Sequence, residues 1–521
     1  MLSEEQRIID FLKTLKSCKA IPDKLYYNLY PHGSHPGILY GLAKVHKPVV
    51  NGIPKLRPIL SALNTSTYRW AKFFVPHLKC LTINEYTITD SFEFCKDIQN
   101  QDASLFMASL DVDSLFTNVP LNETLDICLN KLKNNNVKIE NLTYAQIREM
   151  LDIATKTSTI LFNNKFYSQT DGVAMGSPLG PTLANAFLCS QESNWLDECP
   201  VDFKPIFYKR YVDDIFVLFN SRDHLLPFVD YLNKKHANIN FTYEQEIEGK
   251  FSFLDININR ENAKFSTDVF RKETFSGIYT NFSSFIPENY KIGLVMTLLF
   301  RSFTLVSSFA TFHLEIEKLK DILRKNGYPS GVVSRCVTKF LNKLYTEKKV
   351  FTTVPKLQVQ IVLPFLGQAS LKVKKQLTNT FSKFLPACKL SVVFKVSNRM
   401  SNYFKFKDRV PKPLASHLVY KFMCSSCNAT YIGKTFRHMG VRIGEHQGRS
   451  ARTGNIVQGT SLTAVRQHQL ECKCEVKPRD FTILCHENNE FLLETKENIF
   501  IARDNPTLNT KIRSQELLLF D

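Results

Sequence analysis

The spacing of apolar and polar residues changes several times along the chain, and each change marks a different element. At the start, Glu4, Glu5, Arg7 and Asp10 sit among apolar residues with helical period, which predicts an amphipathic helix rather than a signal peptide. Residues 1–100 mix short helices with a basic, proline-punctuated stretch at 40–48 and 54–59. The apolar run 104–115 carries carboxylates at its end and predicts a buried strand. Helical periodicity follows over 121–133 and 143–159, and Asn163-Asn164 sits at the tip of a predicted hairpin over 162–168. A Gly/Pro-rich turn leads into an apolar helix over 183–196. Apolar runs on either side of Asp213-Asp214 predict a second hairpin over 207–219. Strands are expected within 241–260 and 264–272, and helix through most of 292–323. Further on, strands at 357–363 and 391–396 flank a helix over 370–384, and from about residue 415 Cys, His and Gly become frequent.

Length and charge then narrow the class. A chain of 521 residues exceeds one ordinary core and predicts two or three domains. The formal net charge of +18 suits a polyanionic partner, nucleic acid before an anionic membrane surface. The charge is concentrated: residues 331–413 hold 17 Lys and Arg against only Glu347 and Asp408. A solvated helical face mixes signs, so this segment is expected to neutralise phosphates. The longest apolar stretch, near 293–300, is less than half of the ~20 residues that span a bilayer, so no membrane partner is expected. With no secretory signal, the 13 cysteines are expected as thiols, and regular Cys spacing points to metal before disulfide.

Acidic residues at strand ends carry the strongest chemistry. Ser109-Leu110-Asp111-Val112-Asp113 is an apolar strand running into carboxylates, and Tyr211-Val212-Asp213-Asp214-Ile215 puts two more into a tight turn. Partly buried carboxylates at such spacing need a counter-charge, and a pair of Mg²⁺ ions supplies both the charge and a means of clamping an in-line displacement. An isolated Asp-Asp is ordinarily just a turn; these lie in a longer series.

That series comprises residues 54–61, 110–120, 172–188, 211–214, Phe253-Leu254-Asp255-Ile256 and Phe270-Arg271-Lys272. In its order and motifs the segment 1–343 resembles the reverse transcriptases of Penelope-like retroelements, relatives of the telomerase catalytic subunit. The resemblance implies a right-hand polymerase of fingers, palm and thumb. Asp111, Asp213 and Asp214 would hold two Mg²⁺ ions with the Val112 carbonyl. Phe116 would crowd a sugar 2′-hydroxyl and favour dNTPs, or else serve simply as a core residue. Lys55 and Arg57 would meet the triphosphate. Gly176, Ser177 and Pro178 would bring backbone close to template and nucleotide, and Arg271 and Lys272 would belong to the sheet edge gripping the primer end.

The C-terminal segment has a second signature: Leu418-Val419-Tyr420, then Tyr431-Ile432-Gly433, then Arg437, Arg442, Glu445 and His446, and finally Glu497 with Pro506, Leu508 and Asn509. It resembles the GIY-YIG endonucleases, a small α/β fold with a three-stranded antiparallel sheet, and the fusion is the layout of Penelope-like elements. The resemblance implies that Glu497 binds one Mg²⁺ or Mn²⁺, that Tyr420 helps to deprotonate water, that Tyr431 contacts phosphate or water, and that Arg442 stabilises the developing charge. His446, one turn after Arg442, would assist proton transfer or lie on the surface. The first glycine of the motif is replaced by Leu418, which is expected to alter how that strand packs. Cys424 and Cys427 have chelate spacing for Zn²⁺. His468 fits as a third ligand, Lys473 stands where the family has its second histidine, and Cys472 or Cys474 could complete a structural site.

The architecture expected is therefore α+β and multidomain: fingers and palm over 1–280, thumb over 281–345, a basic nucleic-acid-binding linker over 346–413, and a nuclease with a zinc site over 414–521. Expected partners are template RNA, primer or target DNA and dNTPs, with a nuclear location inferred from a chromosomal target. Family members often carry further N-terminal sequence, and this chain enters the polymerase motifs early. Two rival functions are a catalytically degenerate nucleic-acid-binding remnant and a telomere-type reverse transcriptase, which would need no nuclease.

Overall fold

The computed structural model describes residues 2–45, 49, 51–261, 264–346, 357–396, 403, 407–450, 455–456 and 463–509. His46, Lys47 and Pro48 of the first basic stretch, and Lys348, Lys349, Lys356, Arg399 and Lys405 of the second, lie outside the described residues.

Helices α1 (Leu2–Ser17) and α2 (Asp23–Leu29) open the chain. The apolar stripe of α1, Ile8, Leu12 and Leu15, is fully buried in the main core, as an i, i+4, i+7 face must be. Strands β1 (Gly37–Ala43) and β2 (Leu56–Ser61) pair antiparallel, with Tyr40 opposite Ile59. Helices α3 (Tyr68–Leu78) and α4 (Ser91–Gln99) follow, and Trp70 and Phe74 of α3 are fully buried.

Strand β3 (Phe106–Val112) stops short of the expected residue 115 because Ser114 takes a left-handed φ of 53° and starts the short helix α5 (Leu115–Asn118). Helices α6 (Leu121–Asn134) and α7 (Tyr144–Lys156) come next, the latter held by a Thr143–Gln146 capping box. The hairpin β4 (Thr159–Phe162)–β5 (Lys165–Ser168) turns at Asn163 and Asn164, both at positive φ as a two-residue turn requires. Strand β4 also pairs parallel with β1, so the first sheet runs β2-β1-β4-β5. Helix α8 (Leu179–Asp197) is apolar nearly all round and buried.

Strands β6 (Phe207–Tyr211) and β7 (Asp214–Phe219), helix α9 (Leu225–Asn233) and strand β8 (Phe241–Gln245) complete a second sheet of order β6-β7-β3-β8. All its pairs are antiparallel, and β3 lies between β7 and β8 with Asp111 opposite Asp214. This is a βαββαβ unit with its helices on one face. Strands β9 (Lys250–Phe253), β10 (Ile256–Glu261) and β11 (Lys264–Val269) form a third sheet around Phe216, Phe251 and Phe253. Helices α10 (Glu288–Leu305), α11 (Phe309–Lys325) and α12 (Ser330–Tyr345) share their own core of Leu298, Phe312, Leu319 and Phe340.

The segment expected as a linker contains a folded unit: β12 (Leu357–Pro364), α13 (Gln368–Phe384) and β13 (Cys388–Lys395), the strands parallel and Leu390, Val392 and Phe394 buried. Beyond it, β14 (Leu418–Met423), β15 (Thr430–Thr435), α14 (Met439–His446), α15 (Ala464–Cys472), β16 (Phe481–His486) and α16 (Glu490–Asp504) build an antiparallel sheet of order β15-β14-β16. Leu418 is fully buried there opposite Thr435 and His486, so the strand absorbs the larger side chain as core.

This last module docks on the N-terminal helices. Gly33 has φ +57°, and a Cβ there would meet the Phe436 carbonyl at 2.3 Å and the Ser416 Cβ at 2.6 Å. Glu5 accepts from the Gly33 and Ser34 amides at 3.2 and 3.1 Å. Across the joint, Ser416 donates to the Gly33 carbonyl (2.5 Å), His35 Nε2 lies 2.9 Å from Ser416 Oγ, and His438 Nε2 donates to the Ser34 carbonyl at 2.7 Å.

Candidate functional site

Strand pairing brings the three polymerase carboxylates together. Asp111 near the end of β3 faces Asp214 at the start of β7, and the Val112 amide donates to the Asp213 carbonyl at 3.2 Å. Burial, with the charges of Asp213 and Asp111 and a smaller push from Glu244, raises the Asp214 carboxyl to about 6, and Lys272 opposes the shift. Three carboxylates crowded at one end of the sheet, with Val112 next to Asp111 on β3, are a donor set that fits a divalent metal. Lys272 is drawn to this cluster; Arg271 is not. Arg271 makes a two-pronged ion pair with Glu315 of α11, which is 3% exposed, so its charge ties the third sheet to the helical domain. Asp255 is likewise paired, with Arg301 at 3.0 Å.

The turn before α8 approaches the first sheet closely. Gly176 has φ +118°, and a Cβ there would sit 2.1 Å from the Leu60 carbonyl, while the Leu60 amide donates to the Met175 carbonyl at 2.8 Å. Ser177 closes the turn onto Ala174 (3.1 Å) and Pro178 caps α8. Phe116 packs partly buried against the main core, and its carbonyl accepts from the Val173 amide at 2.7 Å, which sets its ring beside this turn. Lys55 and Arg57 are exposed on and beside β2.

At the other end, the structure gathers Tyr420, Tyr431, Arg442, His446 and Glu497. The Tyr420 hydroxyl is fully buried, lies 2.7 Å from His446 Nε2 and accepts from Arg442 Nε at 3.0 Å. His446 is not a surface residue: its side chain is fully buried and Nδ1 meets Thr463 Oγ1 at 2.9 Å. Burial, reinforced by Arg442, lowers its pKa to about 3 and keeps it neutral, so Nε2 accepts a hydrogen bond from the Tyr420 hydroxyl. Burial raises Tyr420 far above the phenol range, although Arg442 pulls the other way. Gly433 makes this crowding possible, since a Cβ there would come within 2.7 Å of the Tyr431 ring and 2.8 Å of the Tyr420 hydroxyl. Burial also raises Glu497, against the pull of Lys434, whose Nζ lies 3.7 Å away.

Cys424, Cys427, His468 and Cys472 converge, their ligand atoms all within 4.8 Å of one another. Burial pushes the Cys424 thiol up, but hydrogen bonds from His468, the Ser426 and Cys427 amides and the Cys474 thiol bring it down to about 6. A thiol already near its thiolate, with a ring nitrogen and two more sulfurs around it, is a donor set that fits Zn²⁺. Sequence reasoning placed these ligands but missed Thr463 and the buried Arg210–Glu192 pair described below, which have no local signature.

An antiparallel βαββαβ sheet with carboxylates on its central strand and adjoining hairpin is the fold of template-dependent polymerases. Residues 45–246 match the family described as reverse transcriptase (RNA-dependent DNA polymerase), and residues 278–338 match an animal helix-turn-helix domain, so the chain carries both domains. No curated protein matches. Among solved structures it is similar to apo telomerase from Candida tropicalis truncated from its C-terminal domain (17% identity, TM-score 0.33, covering 44% of this chain and 55% of that one). It is also similar to telomerase from Candida albicans with a fragment of telomeric RNA (10%, TM-score 0.38, 63% and 66%). A third is the Sicinivirus 3Dpol RNA-dependent RNA polymerase (13%, TM-score 0.39, 61% and 71%). The chain thus spans 55% to 66% of the length of the two telomerases.

Proposed function

We propose that this chain is an RNA-directed DNA polymerase of a Penelope-like retroelement, coupled to a C-terminal GIY-YIG endonuclease that nicks target DNA to prime synthesis. One observation carries the polymerase half: Asp111, Asp213 and Asp214 converge at one end of the palm sheet, and their crowding raises Asp214. These carboxylates, with the Val112 carbonyl, would hold two Mg²⁺ ions, which when bound activate a primer 3′-hydroxyl and stabilise leaving pyrophosphate. Lys272 neutralises charge beside them, Lys55 and Arg57 offer exposed cations to a triphosphate, and the turn at Gly176 brings backbone within reach of template and nucleotide. Phe116, beside that turn, would exclude a 2′-hydroxyl. The helix-turn-helix domain serves as thumb over the heteroduplex. The basic unit around β12, α13 and β13 has Lys372, Lys374, Lys375, Lys383, Lys389 and Lys395 and no acid, which suits a nucleic-acid backbone.

The buried Tyr420–His446–Arg442 chain supports the nuclease half. Tyr420 would help to deprotonate water, its hydroxyl held by the hydrogen bond to His446 Nε2, while Arg442 stabilises charge on phosphate and Tyr431 orients it. Glu497 would hold one Mg²⁺ or Mn²⁺, which when bound withdraws charge from the phosphate. A structural Zn²⁺ would sit among Cys424, Cys427, His468 and Cys472 or Cys474. The convergence of Tyr420, Arg442 and His446 favours this reading over a telomere-type enzyme, and a chromosomal target would put the protein in the nucleus.

The test is extension of a DNA primer on an RNA template, abolished by Asp213→Ala, together with plasmid nicking, abolished by Glu497→Ala. Nicking that survives Glu497→Ala contradicts the nuclease assignment without touching the polymerase.

A further inference from the structure

Arg210 immediately precedes the Tyr211-Val212-Asp213-Asp214 turn, and its side chain is 0% exposed. All five of its donors are used. Nε and an NH2 hydrogen make a fork onto Glu192 of α8, at 2.5 and 3.0 Å; Glu192 is 2% exposed. NH2 also reaches Cys189 Sγ at 3.2 Å, and NH1 donates to Asn185 Oδ1 at 2.8 Å and to the Val212 carbonyl at 3.0 Å. Asn185, Cys189 and Glu192 fall at i, i+4 and i+7 and so form one face of α8. Glu192 is fixed in turn by the Tyr208 hydroxyl and the Asn84 amide, each at 3.0 Å. The Arg210 backbone is pinned as well, its amide on Tyr86 O at 2.8 Å and its carbonyl accepting from Ile88 at 3.0 Å.

The bond to Val212 is the informative one. Val212 has φ +58°, a left-handed conformation that strains a β-branched residue. Left alone, such a residue relaxes, and the peptide joining it to Asp213 rotates with it. Arg210 holds the carbonyl of that peptide, which sets the direction in which the Asp213 side chain leaves the turn. A buried ion pair is by itself weak grounds for stability, since an apolar pair of equal volume serves as well. Here the arginine does something an apolar pair cannot: it donates to a strained backbone carbonyl.

We propose that Arg210 is a positioning residue for the polymerase metals, holding the left-handed Val212–Asp213 peptide in place and coupling it through Glu192 to α8, the helix that the Gly176–Pro178 turn begins. This rests on the polymerase reading. Arg210 touches neither substrate nor metal; it acts through the backbone of the turn.

Arg210→Lys keeps the charge facing Glu192 and loses the fork and the Val212 bond. The expected result is a folded protein with unchanged RNA binding, a single-nucleotide kcat reduced about 10²-fold, a dNTP KM within about threefold of wild type, and a several-fold higher Mg²⁺ midpoint. Glycine accepts positive φ without strain, so adding Val212→Gly to Arg210→Lys recovers much of the lost kcat. Should Arg210→Lys fail to fold, the double replacement Arg210→Met/Glu192→Met removes both buried charges and is expected to fold with the same kcat and Mg²⁺ defect. A wild-type kcat and Mg²⁺ midpoint in either folded variant overturns the inference, as does the absence of rescue by Val212→Gly. Wild-type protein that extends no primer, or extends one equally well as Asp213→Ala, overturns the polymerase reading instead.

Discussion

Single residues here earn their identity from what would fail in their place. Gly176 is one such position: any side chain would put a Cβ 2.1 Å from the Leu60 carbonyl, and its φ of +118° is closed to other residues. Gly176→Ala is therefore expected to displace the turn, lower stability by roughly 1–3 kcal/mol and reduce extension at least tenfold, measured by thermal melting beside single-turnover incorporation. Retained stability and activity would show that the turn moves freely. Asp111, Asp213 and Asp214 were legible in the sequence because carboxylates ending apolar strands have few structural uses. Arg210 and Glu192 were not, because a residue buried by a partner 18 positions away looks in sequence like any charged residue on a strand. The Arg271 motif points to the primer, and its ion pair with Glu315, 44 positions on, leaves no trace in the sequence.

Among the elements, those with local signals were read well and those defined by distant pairing were not. The Asn163-Asn164 hairpin and the capped helix α7 follow from turn and cap chemistry. The parallel pairing of β4 with β1, Ile160 opposite Gly37, joins segments more than a hundred residues apart and leaves no periodic trace. Helix α15 and the turn at Cys424 bring Cys424, Cys427, His468 and Cys472 together from two distant segments. Four ligands from two segments are expected to bind one Zn²⁺ per chain, read by elemental analysis, with Cys427→Ser reducing that content. Chelation should lower the melting temperature of the C-terminal module and leave that of the palm unchanged. Full stability after chelation, or metal-free protein as purified, would contradict a structural zinc.

At the scale of the molecule, the C-terminal module is joined to the N-terminal helices through a cluster of histidines beside Glu5. Burial, followed by the charges of His417, His438 and His486, lowers His35 to about 4. Burial also lowers His417, helped by His32 and Arg69, and lowers His32, helped by Arg69; Glu5 opposes both shifts and Glu490 opposes that of His32. The folded-state pKa values of His32, His35 and His417 are depressed, so their contribution to the joint is complete above about pH 6.5 and is lost as pH falls from there toward 4. Hydrogen exchange at residues 30–36 and 415–418 is expected to quicken across that window while β3 and β7 stay protected. Exchange that is independent of pH, after correction for its intrinsic rate, would contradict a histidine-held joint. This contact links residues some 380 positions apart, and no local pattern in the sequence signals it.

The polymerase reading and the role of Arg210 both depend on Asp111, Asp213 and Asp214 doing what their convergence allows. The most direct measurement is incorporation of labelled dNTPs onto a DNA primer annealed to RNA, with Mg²⁺, by wild-type protein and by Asp213→Ala. Template-length DNA is expected from the wild type, far less product with rNTPs, and none from Asp213→Ala. Product that survives Asp213→Ala, or folded, RNA-bound wild-type protein that makes none, would contradict the polymerase reading.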